Sequence, residues 1–174
     1  MVSSRFWFRI LGIAVLALGC NFSALSQDLA QIDYWLRHGD AARALAGVDH
    51  FLSEHPKDAR AQFLKGVILT EQKKPQEALK VYTELNSQYP DLPEPYNNLA
   101  VLHAAQGEYD KARMALEMAI RVKPDYATAH ENLGDIYARM AADAYNKAAK
   151  LDGGNKTAPV KLKRVTELLP ALPR

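Results

Sequence analysis

YNNLAVLHAAQGEYDKARMALEMAIRVKP, residues 96–124, decides how the rest of the chain is read. Gly107-Glu108 divides the stretch into two apolar helical runs, and Pro124 closes it. Glycine tolerates the left-handed backbone that a tight helix-to-helix turn needs. Proline lacks an N–H and keeps the preceding residue out of helical geometry, so it stops the second run. Ala100 in the first run and Ala112 in the second are small where two antiparallel helices must approach closely, and larger residues there would pry the pair apart.

The unit repeats. Pro56, Pro90 and Pro124 stand 34 residues apart, each followed by Lys or Asp. Aligned on these prolines, Gly66, Ala100 and Gly134 form one small column, and Ala44, Ala78 and Ala112 form a second. Gly39, Lys73 and Gly107 form a third, in the turn. Within residues 96–124, Tyr96, Leu99, Ala100, Gly107, Tyr109, Ala112, Ala119 and Pro124 fall at the spacings of the tetratricopeptide consensus. Residues 28–152 resemble that family. The resemblance implies an all-α, right-handed α-solenoid of about four helix-turn-helix repeats with a C-terminal capping helix.

The expected helices are Leu29 to His38, Ala41 to His55, Ala59 to Glu71, Pro75 to Gln88, Pro93 to Gln106, Tyr109 to Val122 and Tyr126 to Leu151. Repeat four opens in register with Ala127, His130, Leu133, Gly134 and Tyr137, but Met140-Ala141-Ala142-Asp143 replaces the glycine turn. Either a shortened turn frees Ala141 to Leu151 as a second helix, or one long helix runs through. The spacing of Ala144, Ala148 and Leu151 favours the hairpin. After Asp152-Gly153-Gly154-Asn155, Ala158 to Leu168 reads as a short helix with an apolar stripe of Leu162, Val165 and Leu169, suited to covering the terminal repeat. Trp35 with Ile32 in the small column marks the first repeat as an N-terminal cap.

The resemblance also implies that the first helix of each repeat lines a concave groove. Asn98 and Asn132 share one repeat position there, and their amides can donate to and accept from a peptide backbone. The alternative is that each amide bonds a neighbouring helix. Leu64 interrupts the pair in the preceding repeat. Phe63, Val67, Asn97, Val101, Glu131 and Asp135 complete the candidate peptide-binding set, grading from apolar to acidic. The carboxylate clamp of the co-chaperone members needs Lys or Arg at slots that here hold Phe63, Glu94 or Thr128, so that mode is not expected.

Hydrophobic residues make up 48% and charged residues 24%, the usage of a chain that buries a core. The N-terminal segment has a positive start in Arg5 and Arg9, an apolar stretch from Ile10 to Leu18 and the small-x-small site Ala24-Leu25-Ser26. It reads as a signal peptide cleaved after Ser26, because its apolar run is shorter than the ~20 residues needed to span hydrocarbon. The expected layout is a signal peptide over 1–26, the repeat domain over 27–155, and a capping helix with a tail over 156–174. Arg5 and Arg9 are two of 22 basic residues and no acid precedes Asp28, so cleavage leaves 20 basic against 20 acidic residues. A neutral chain without a basic patch lacks the phosphate-neutralising charge of nucleic-acid binding. Cys20, the one cysteine, permits no internal disulfide. Leu16-Ala17-Leu18-Gly19-Cys20 resembles a loose lipobox, with Ala17 where leucine is expected. Cys20 therefore reads as an ordinary residue of the apolar stretch, with lipidation and a membrane tether as the alternative.

His38, His50, His55, His103 and His130 show no metal-ligand spacing, and His103 occupies a column usually filled by a core aromatic. No phosphate-binding loop, dinucleotide glycine pattern, nucleophile elbow or kinase signature occurs, so no catalytic residue, metal or cofactor is expected. The sequence thus points to an exported, periplasmic bacterial scaffold that binds a protein or peptide. A self-associating structural protein and an accessory subunit of an envelope enzyme are the alternatives.

Overall fold

In the computed structural model, which describes residues 28–169, helix follows helix, and among these residues there is no strand. The helices are α1 (28–37), α2 (Ala41–Glu54), α3 (Ala59–Glu71), α4 (Pro75–Gln88), α5 (Pro93–Ala105), α6 (Tyr109–Val122), α7 (Ala127–Leu151) and α8 (Thr157–Thr166). The signal-peptide reading, Cys20 and the last residues of the expected tail lie outside the described residues.

The turns explain the segmentation. Gly39, Lys73 and Gly107 adopt φ of 81°, 57° and 76°, so one repeat position is left-handed three times. Each ends its helix with the same bond: Asp40 N–H donates to Trp35 O, Lys74 to Leu69 O and Glu108 to His103 O. This bond satisfies a carbonyl that the end of the helix leaves open. At Lys73 the left-handed backbone costs about 1 kcal/mol that glycine would not incur. Helix starts are fastened by Asp40, whose carboxylate accepts from Arg43 N–H at 3.1 Å, and Asp58, which accepts from Ala61 N–H at 2.8 Å. Pro75 and Pro93 each form the first residue of a helix, where a missing N–H costs nothing.

Two compact units divide the chain inside α4, between Ala78 and Leu79. In the first, Leu29, Ile32, Ala44, Val48, Phe51, Ala61 and Ile68 form the core, with Trp35 and Leu64 against it. Gly47 allows the closest approach: a Cβ there would lie 2.9 Å from Trp35 Cζ3. In the second, Ala100, Ala112, Leu116, Ala119, Ala129 and Ile136 form the core, flanked by Tyr96, Tyr109, Tyr126, Leu133 and Met140. Ala100 and Ala112, the paired small columns, are both buried.

Repeat four departs from the hairpin that its sequence favours. α7 is one helix of 25 residues. The turn position that is left-handed in the other repeats is here Ala141, set between Met140 and Ala142. All three are good helix formers and none takes positive φ readily, so the helix continues. Gly134 is consequently exposed, and a Cβ on it would meet, beyond its chain neighbours and its own helix backbone, no heavy atom of the described residues within 4 Å. α8 folds back on α7 with Ala158 buried and Leu162, Val165 and Leu169 half-buried, the stripe expected of a covering helix.

Candidate functional site

α5 and α7 are the first helices of repeats three and four, and an open groove of about 210 Å³ lies between them. Its floor is apolar: Ala100 and Ala104 of α5, Leu116 of α6 behind, and Ile136 of α7. Val101, which is 48% exposed, and Ala105 form one wall, while Asn132, Asp135 and Arg139 form the other. The floor is apolar because the small column must let α6 approach α5. The second wall is polar because Asn132, Asp135 and Arg139 recur at three- and four-residue spacing on one side of α7.

A chain of amides runs beside this groove. Asn132 Nδ2 donates to Asn97 Oδ1 at 2.8 Å, Asn97 Nδ2 reaches Asn98 Oδ1 at 3.5 Å, and Asn98 Nδ2 donates to Tyr82 Oη at 3.0 Å. The two asparagines of one repeat position therefore do bond neighbouring helices. Asn132 Oδ1 accepts no hydrogen bond among the described residues, and Asn132 is one of the residues that line the groove.

Of the expected peptide-binding residues, Val101, Asn132 and Asp135 line this groove. Asn97 does not project into it as expected. Only 6% of it is exposed, because its side chain points between α5 and α7 and receives the Asn132 amide. Asn98 is half-buried against Tyr82, and Glu131 is exposed on α7 outside the groove lining. Phe63 and Val67 are half-buried on α3 in the first unit. Ala104, Ala105, Ile136 and Arg139 were not expected. Their signal is positional, since each stands three or four residues beyond Val101, Asn132 or Asp135 on the same helix.

Two polar networks lie outside the groove. His103, expected in the inter-helix core, is half-buried, and its Nδ1 meets Glu108 Oε2 at 2.7 Å. Lys111 donates to the other Glu108 oxygen at 2.9 Å. Lys111 foremost and then His103 hold the Glu108 carboxyl below its ordinary value. Glu117 bonds Arg113 at 2.7 Å and raises its guanidinium further above its ordinary value. Among the described residues, no group of three or more His, Cys, Asp or Glu is placed to hold a metal ion, and no helix is long and apolar enough to cross a membrane.

Known proteins resemble this chain in sequence repeat and in fold. A family model described as tetratricopeptide repeat covers residues 29–93, and one described as TPR repeat covers 102–140; neither indicates a catalytic family. A chloroplastic tetratricopeptide repeat domain-containing protein of Arabidopsis thaliana, PYG7, is 36% identical over 73 residues, 39% of this chain. The chain spans only 24% of that relative's length. Among solved structures, MamA superposes with a TM-score of 0.61 at 19% identity over 87% of this chain and 81% of MamA. The Yersinia enterocolitica type III secretion chaperone SycD, in complex with a peptide of the translocator YopD, gives 0.62 at 14% identity over 68% and 95%. These likenesses share the all-α repeat solenoid.

Proposed function

Because this chain carries tetratricopeptide repeats, we propose that it is a non-catalytic scaffold holding a segment of a partner protein in the groove between α5 and α7. The observation that carries the reading is an open apolar floor beside a wall that includes Asn132, whose Oδ1 accepts no hydrogen bond among the described residues. An apolar side chain of the partner fills the groove and displaces the equivalent of roughly seven waters. The Asn132 carbonyl accepts a backbone N–H of the same segment, and Asp135 and Arg139 select the charge beside it. SycD, a solenoid of the same fold, is in complex with a peptide, which supports a peptide as the class of partner.

The setting belongs to the same proposal. Arg5 and Arg9, the apolar run and the small-x-small site support export to the bacterial envelope, with Cys20 lipidation as the tethered form. Intact mass of the native protein tests it: a chain beginning at Gln27 or a lipidated Cys20 supports export, and an uncut cytoplasmic chain defeats it. For the groove, a photo-reactive residue at Val101 should give a dominant protein adduct in cells. That adduct should disappear with Asp135→Lys and not form from the same probe at the exposed Lys111 on α6. Equal adducts from both positions would refute the groove.

A further inference from the structure

Repeat four has a first helix and no separate second one, so the face of α7 that a second helix would cover stays open. α7 has 25 residues against 14 in α6 and is about 37 Å long. Along one side of it run Gly134, Tyr137, Ala141, Ala144, Ala148 and Leu151, spaced alternately by three and four, which keeps a single seam on one face. Tyr137 is 50% exposed and Leu151 79%, Gly134 and Ala144 are exposed, and Ala141 and Ala148 are half-buried. α8 takes another side, where Ala142 is buried and Lys161 Nζ lies 5.6 Å from the Tyr145 ring centroid. The groove-lining Asn132, Asp135 and Arg139 take a third.

We propose that this seam pairs with the same seam of a second copy, antiparallel, about a two-fold axis crossing α7 between Ala142 and Asp143. That axis sets Gly134 against Leu151, Tyr137 against Ala148 and Ala141 against Ala144. A two-fold interface must be self-complementary, each residue meeting its opposite twice, and all six seam positions meet this condition with one axis. Each large side chain faces a small one, so the layers interdigitate without void or clash. A parallel pair would stack Tyr137 on Tyr137 and leave Gly134 facing Gly134. Along the flanks Met140 meets Lys147 and Ala138 meets Tyr145, so no like charges oppose over residues 138–147; the one acidic pair, Glu131 with Asp152, falls beyond the ends of the seam, where both are exposed. The partner's distal α7 thereby supplies the second helix that repeat four lacks.

Light scattering of the full chain at micromolar concentration should give the mass of a dimer. Ala144→Glu places a carboxylate in the paired seam yet leaves it in water in the single chain. It should weaken the dimer at least about tenfold with helicity unchanged. In a Cys20→Ser background, Ala141→Cys with Ala144→Cys should oxidise to an interchain-linked dimer, whereas Asp143→Cys, off the seam, should not. A monomer throughout, a dimer indifferent to Ala144→Glu, or equal linkage from position 143 would overturn the proposal.

Discussion

Gly134→Ala should make the protein more stable, although Gly134 stands in the column where small residues are required between paired helices. A glycine inside a helix costs about 1 kcal/mol relative to alanine through backbone entropy, and Gly134 lies well inside α7. The opposing term, a clash of the new methyl, is absent because, apart from its chain neighbours and the backbone of its own helix, no described residue has an atom within 4 Å of it. At Gly47 both terms act: the methyl would sit 2.9 Å from Trp35 Cζ3 and 3.1 Å from Ile32 Cγ1. Overpacking there costs roughly 1–3 kcal/mol, which outweighs the helical gain and leaves a net loss of about 1 kcal/mol. The assay is amide hydrogen exchange resolved by helix, in the Ala144→Glu background so that a second copy does not contribute. Exchange through α7 should slow about fivefold in Gly134→Ala, and exchange through α2 should quicken by a similar factor in Gly47→Ala. Faster exchange in α7 of Gly134→Ala would mean that a helix docks on Gly134 after all, and the reading of repeat four as one continuous helix would fail.

Asn86 is buried to 7% exposure, and among the described residues neither its Nδ2 nor its Oδ1 has a hydrogen-bond partner. Asn86→Leu should therefore stabilise by about 1 kcal/mol, read as a higher urea midpoint with unchanged slope; a lower midpoint would show that the amide is satisfied in solution. Glu108, whose carboxyl is held low chiefly by Lys111 and then His103, contributes stability that is complete above the ordinary carboxylate range and disappears as pH falls through its depressed value. Melting curves of the wild type and Glu108→Gln should differ by a constant gap near neutrality that closes in acid, and a gap that persisted in acid would exclude this cause.

The tandem arrangement of paired helices is legible in the residues themselves. Proline at the end of each repeat and glycine at the turn act through the backbone of their own residue or the one beside it, so α3, α4 and α6 begin and end where the sequence places them. Even Lys73 could be placed by its column, because the turn geometry around it demands a left-handed residue regardless of its identity. Repeat four reads as a hairpin in the sequence because Ala144, Ala148 and Leu151 carry a helical stripe whether or not a turn precedes them. The deciding signal was local and weaker, the lack of any residue at 140–143 that leaves a helix cheaply.

The groove was half legible. Val101, Asn132 and Asp135 face it as repeat position requires, but Asn97, adjacent to Asn98 and differing by one step around the helix, turns inward to accept from Asn132. By itself the sequence determined the period, the helix ends and the small residues at each close approach, because these follow from the backbone preferences of single residues and their neighbours. Only the tertiary structure decided which amides were consumed between helices, which residues line the groove and which face of α7 was left uncovered. Those outcomes depend on distances between side chains from different helices, and no spacing along one chain specifies such a distance.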